Sequence, residues 1–110
     1  MYVKVDLGSQ PPVVSLEEPD DTKRFHVEVV GGTDVGRLFG ALVDAAAGRL
    51  EGEDAWIALD AVRRMAAGRV APSWDAQFDA MLEYARTKGW LDEAAHTIRA
   101  HVEWRDDGTA

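Results

Sequence analysis

The sequence predicts an α+β fold, a two-layer sandwich whose mainly antiparallel sheet is covered on one face by three helices. Two observations lead to this prediction. Polar and apolar side chains alternate at both ends of the chain, as they do in a half-buried β-strand. Between these ends, apolar residues recur at helical spacing in three separate segments. The expected order of elements is β-β-β-α-(β)-α-α-β, where the bracketed strand is short.

Three strands are expected in the first third of the chain. Residues 2–7 alternate strictly, residues 13–16 follow a turn that contains two prolines, and residues 23–30 alternate again. Because consecutive strands that are joined by short turns usually pair with each other, these segments predict an antiparallel meander.

The first helix is expected over residues 35–46, where apolar side chains fall at i, i+3, i+4, i+7 and i+8. Thr33 or Asp34 can cap its start, and Gly48 can take the left-handed conformation that ends it. Two glycines within the helix are expected where it lies close to the sheet: Gly36 and Gly40.

A short strand and two more helices are expected next. The apolar residues 56–59 predict either a short strand or the start of a helix, and the strand is preferred. Asp60 can cap a short helix that ends at Gly68, and Ser73 can cap a longer helix that ends at Gly89.

The last strand is expected over residues 96–104, which alternate like the first. We expect it to pair within the N-terminal sheet, so that residues 1–104 form a single domain and residues 105–110 a flexible tail. The four tryptophans are expected in the core, except that Trp90 is expected to pack on the last turn of the third helix.

Composition narrows the classes of function. The formal net charge is −8, which repels a nucleic-acid backbone, so no nucleic-acid partner is expected. The chain has no cysteine, which removes thiolate metal sites and disulfides. It has no membrane-spanning run and no signal peptide, and a cytoplasmic location is expected. No cofactor is expected either, because the glycine-rich segment 31–36 lacks the spacing of a dinucleotide fingerprint or a P-loop.

One polar triplet, R-x-H-x-E, occurs twice, at residues 24–28 and 99–103. In a strand these three side chains share a face. If the two strands are antiparallel neighbours with the histidines opposite, Arg24 faces Glu103 and Glu28 faces Arg99, and both pairs are attractive. A parallel pairing in the same register would place like charges opposite each other. The charges therefore favour an antiparallel pair.

The same face could hold a divalent metal through His26, Glu28, His101 and Glu103. A solvent-exposed face crossed by ion pairs is the preferred interpretation, because nothing in the sequence supplies a closed second layer of ligands. No metal site and no catalytic residue is therefore assigned.

The preferred function is a non-enzymatic protein-interaction module that binds a protein partner or forms a homodimer. A row of acids on the third helix, Asp75, Asp79 and Glu83, is the candidate steering surface. Two alternatives remain open. One is a small-molecule binder or small enzyme with a pocket between sheet and helices, and the other is a winged-helix regulator, which the acidic third helix disfavours.

Overall fold

The computed structural model describes residues 1–105, which form one seven-stranded sheet and three helices. The strands are β1 (Tyr2–Asp6), β2 (Val13–Glu17), β3 (His26–Val30), β4 (Gly48–Glu51), β5 (Asp54–Ala58), β6 (Leu91–Asp92) and β7 (Thr97–Trp104). The helices are α1 (Val35–Asp44), α2 (Leu59–Ala66) and α3 (Trp74–Thr87). The predicted α+β class is confirmed, although the sheet is mixed.

The strand order in the sheet is β2-β1-β3-β7-β5-β4, and β6 pairs with the start of β7. β3 runs parallel to β1 and to β7, whereas the other pairs are antiparallel. The predicted meander is therefore wrong. Residues 18–25 carry the chain from β2 past β1, so β3 joins the opposite side of β1 in the same direction. A seven-stranded sheet of this order is not a winged helix.

One side of the sheet is buried under the helices, and the period of two decides which residues lie there. Val3 and Val5 of β1, Val27 and Val29 of β3, and Val102 of β7 all lie in one core cluster. α1 packs against β2 and β4, α2 against β2 and β5, and α3 against β6. Among residues 1–105 no polar or charged residue is buried, so the space between sheet and helices is filled with apolar side chains.

Helix α1 starts as predicted and ends earlier than predicted. The Oδ1 atom of Asp34 accepts a hydrogen bond from the amide of Arg37 at 3.2 Å. At the other end Ala46, with φ of 52°, takes the left-handed position, and the amide of Ala47 bonds to the carbonyl of Leu42 at 2.8 Å. Gly48 begins β4 instead of ending the helix.

The two glycines of α1 do not mark close packing. A Cβ atom at Gly40 would meet nothing within 4 Å, and one at Gly36 would meet only the Asp34 side chain. The expectation of a close approach to the sheet at these positions is wrong, because both lie toward solvent while Leu38 and Leu42 face the core.

The start of α2 and α3 also differs in detail from the prediction. Asp60 lies in the first turn of α2, with Ala58 at the cap position, and the Ser73 side chain makes no capping bond to α3. Gly89 does end α3, with φ of 77°. The expected strand at 56–59 is confirmed as β5, which begins two residues earlier.

Only one of the four tryptophans is a core residue. Trp74 is 3% exposed, whereas Trp90 and Trp104 are 40% and 39% exposed. Trp56 projects from the uncovered face of the sheet, where its indole nitrogen donates to Glu51 at 3.2 Å. Period-two geometry explains this, because Ile57 takes the inward position and leaves Trp56 outward. As expected, Trp90 contacts the last turns of α3, with its ring 6.0 Å from that of Tyr84.

Of the predicted tail, residues 106–110 lie outside the described part of the chain. Arg105 lies within it, and its amide donates to the carbonyl of Val29 at 2.8 Å. None of the helices in residues 1–105 has the length and apolar composition needed to cross a membrane.

Candidate binding surfaces

The two strands that carry the R-x-H-x-E triplet are neighbours, but they are parallel. Val27 lies opposite Val102, and Glu28 lies opposite Glu103. The predicted antiparallel pairs, Arg24 with Glu103 and Glu28 with Arg99, are therefore wrong. The local charges favoured an antiparallel pair. The path of the chain instead places β3 parallel to β1, and β7 runs in the same direction as both.

Each of the two opposed glutamates contacts a basic side chain. The Nε atom of Arg105 lies 2.8 Å from Oε1 of Glu28, and the Nε2 atom of His26 lies 3.3 Å from Oε2 of Glu103. The Arg105 contact offsets part of the repulsion that a parallel register creates. The sequence held a signal for Arg105, since it continues the alternation of β7 by one step beyond Glu103.

His26 is held in place mainly by an aromatic contact. Its ring stacks on that of Tyr2, with centroids 4.9 Å apart. Although Nε2 lies near Glu103, this buried atom has no hydrogen-bond partner among residues 1–105. Burial raises the pKa of the Tyr2 hydroxyl, and the charges of Glu28 and Glu17 raise that pKa further.

The second triplet contacts a residue that the sequence did not single out. Asp54 of β5 lies opposite His101 in the antiparallel register. Its Oδ2 accepts from Nε of Arg99 at 2.9 Å, and its Oδ1 lies 3.6 Å from Nδ1 of His101. No local pattern could reveal this contact, because the register of β5 against β7 is a tertiary property.

The four candidate metal ligands are divided among separate contacts. His26 contacts Glu103, Glu28 contacts Arg105, and His101 contacts Asp54. In the described range, 1–105, no group of three or more histidines and acids is placed to hold a metal ion. All four project from the sheet face away from the helices, although His101 and Glu103 also line a groove beside the start of α1 at the end of β7.

Helix α1 exposes a row of large apolar side chains. Val35, Phe39 and Val43, at i, i+4 and i+8, are 59%, 48% and 52% exposed. Val35 also lines a groove of about 570 Å³ that runs to the exposed Trp104. We call this row together with the groove the α1 groove. The lining of the groove includes Val35, Leu38, Leu50, Trp104, Glu53 and Glu103.

The acidic row of α3 is exposed, as expected of a steering surface, but it is partly neutralised. Asp79 lies 3.7 Å from Nη2 of Arg63. Glu83 accepts hydrogen bonds from Arg86, and these bonds lower the pKa of the Glu83 carboxyl. Among residues 1–105 Asp75 forms no ion pair. Because the other two carboxylates are paired with arginines, the negative potential of the row is weaker than its sequence indicates.

Comparison of the chain with protein-family models, with curated proteins and with solved structures returned no match. Function is therefore inferred from the surfaces of the molecule.

Proposed function

We propose that this chain is a protein-interaction module that binds an apolar, positively charged segment of a partner protein in the α1 groove. The observation that carries the proposal is the exposed row of Val35, Phe39 and Val43 on α1. Three large apolar side chains in line on one helix form a contiguous patch, which distinguishes them from the scattered apolar residues of an ordinary surface.

The apolar row is separate from the side of α1 that holds the fold together. Leu38, Ala41 and Leu42 are the buried residues of the helix, so the core is complete without Phe39. Covering a large side chain stabilises a complex by roughly 1.5–3 kcal/mol when it passes from full exposure to full burial. Because these residues are about half exposed, each can supply about half of that energy to binding.

The charged side chains that line the groove favour a positively charged partner. Its described lining includes the acids Glu53 and Glu103 and one histidine, His101, but no lysine or arginine. The whole chain carries a formal charge of −8, which opposes the approach of a second copy and of a nucleic acid. A partner segment with apolar anchors and flanking lysines or arginines satisfies both properties of the groove.

The test uses a designed amphipathic helical peptide of leucine and lysine, with a second peptide in which glutamate replaces every lysine. We expect the leucine–lysine peptide to shift the NMR signals of α1 and of the end of β7, and the glutamate peptide to bind much more weakly. Phe39→Ser should weaken binding about tenfold, which corresponds to ~1.4 kcal/mol.

Tyr84→Ser is the matched control, since Tyr84 is an equally exposed aromatic residue on another helix. It should leave the affinity unchanged. Equal binding of the two peptides, or full affinity in Phe39→Ser, would reject the α1 groove as a site for a basic partner. A concentration-dependent dimer that Phe39→Ser abolishes would show that the occupant is instead a second copy.

A further inference from the structure

A break in strand pairing opens a cleft beside the middle of β7, on a surface distinct from the apolar row of α1. Along one edge of β7, β6 pairs with Thr97 and Ile98, and β3 pairs with residues 102–104. Residues 99–101 have no strand partner on that edge. A cleft of about 280 Å³ lies there, and it is lined by Phe25, Asp54, Trp90, Arg99 and His101.

The polar groups of the cleft offer donors and few free acceptors. Both oxygens of Asp54 face nitrogen atoms of basic side chains, since Oδ2 accepts from Nε of Arg99 and Oδ1 lies near Nδ1 of His101. Within residues 1–105 the Nη1 and Nη2 atoms of Arg99 donate no hydrogen bond to the protein. A guanidinium held by its Nε atom presents these two donors side by side, in the geometry that matches a carboxylate.

The apolar groups of the cleft are aromatic, and one of them has a fixed backbone. The amide of Trp90 donates to the carbonyl of Ala85 at 2.9 Å, and the carbonyl of Trp90 accepts from the amide of Arg99 at 2.7 Å. Trp90 therefore joins the end of α3 to the strand that carries Arg99. Phe25, the residue before β3, packs against the core. Because these groups are already held in place, ligand binding loses little conformational entropy of the protein.

We propose that this cleft binds a small aromatic carboxylate. The carboxylate would receive two hydrogen bonds from Arg99, and the ring would lie against Trp90 and Phe25. The volume of about 280 Å³ lies just below the usual range for small-molecule pockets, ~300–1,000 Å³, which favours a ligand with one ring.

The experiment is a titration of ¹⁵N-labelled protein with benzoate, followed at the indole N–H of Trp90 and the amides of residues 99–101. Benzoate should give saturable shifts at these positions. Benzamidine, a cation of the same shape, and acetate, which has no ring, should bind at least tenfold more weakly. Arg99→Gln should weaken benzoate binding at least tenfold. Arg99→Lys should recover only part of the loss, because lysine keeps the positive charge but lacks the two parallel N–H donors of the guanidinium.

Arg49→Gln is the matched control. Arg49 is another arginine paired with an acid, since its Nη1 atom lies 3.7 Å from Glu51, and it lies 5.4 Å from the ring centroid of Trp56, but it does not line the cleft. It should leave benzoate binding unchanged, as should Phe39→Ser in the α1 groove. Absence of saturable shifts, equal binding of benzamidine, or full affinity in a folded Arg99→Gln protein would overturn the proposal.

Discussion

Two residues show how the same helix ending can be made with and without glycine. At the end of α3, Gly89 has a φ of 77°, and the amide of Trp90 bonds back to Ala85. At the end of α1 the same pattern of hydrogen bonds forms around Ala46, whose φ is 52°. A Cβ atom in the left-handed region costs ~1–2 kcal/mol. Ala46 therefore holds backbone strain that Gly89 avoids.

Ala46→Gly should stabilise the protein. Glycine relieves the left-handed strain, but part of the gain is offset by its greater freedom in the unfolded chain, so we expect a net increase of about 0.5 kcal/mol in the free energy of unfolding. Gly89→Ala should have the opposite sign, with a loss of about 1 kcal/mol, because no atom within 4 Å adds a steric clash to the backbone cost. Urea denaturation measures both.

The two substitutions act as controls for each other, since each changes one methyl group in the same cap motif. If Ala46→Gly destabilised the protein, φ at residue 46 would not be positive in solution, and the end of α1 would have to lie elsewhere.

Individual elements differ in how firmly their first turn is anchored. The sequence offers a capping side chain before each of α1 and α3, Asp34 and Ser73. Only Asp34 accepts a hydrogen bond from its helix, while Ser73 has helical backbone angles and no side-chain bond to the helix. The type of residue predicts a cap, but the backbone conformation decides whether its oxygen reaches an amide.

Asp34→Ala should therefore lower the free energy of unfolding by about 1 kcal/mol, whereas Ser73→Ala should change it by less than about 0.5 kcal/mol. Thermal or urea unfolding of the two variants side by side is the measurement. Equal losses in both would mean that Ser73 rotates into a true cap in solution.

The sequence predicted most elements because their signals are local. The alternation of residues 2–7 and 96–104 and the helical spacing around Leu38 and Phe78 can be recognised within one segment. Two short strands were missed: Gly48–Glu51 was assigned to a helix end and a loop, and Leu91–Asp92 to a turn. Both are stabilised by a partner strand more than by their own composition.

The candidate surfaces were less predictable, because they depend on register and direction. Glu28 lies opposite Glu103 although their charges repel, and Asp54 meets Arg99 only through the pairing of β5 with β7. Val35, Phe39 and Val43 belong to the same apolar stripe that predicted α1, and the sequence does not separate them from the buried Leu38 and Leu42. The apolar stripe of α1 is wider than the contact that the sheet offers, so its outer edge stays exposed.

At the scale of the whole molecule, β7 joins two half-sheets. On one side lie β3, β1 and β2, and on the other lie β5 and β4. The amide of Val102, which donates to the carbonyl of Glu53 at 3.1 Å, lies in the middle of this arrangement. Opening that bond requires separation of the two halves, which is close to complete unfolding.

Hydrogen exchange tests this role of β7. The Val102 amide should exchange only through global unfolding, with a free energy equal to that from urea denaturation, while amides of the edge strand β4 should exchange through smaller openings. Gly89→Ala should lower the protection of Val102 by the same amount as it lowers global stability. Exchange of Val102 that is faster than global unfolding would show that the half-sheets separate on their own.

The position of β7 in the sheet also has a consequence for biosynthesis. The ribosome makes the first 96 residues before it makes the strand that lies between β3 and β5. Until Thr97–Trp104 leaves the exit tunnel, both of those strands carry unpaired backbone edges that can recruit a wrong neighbour. Nascent chains halted before that strand should therefore be bound by chaperones, and release of the strand should end that binding.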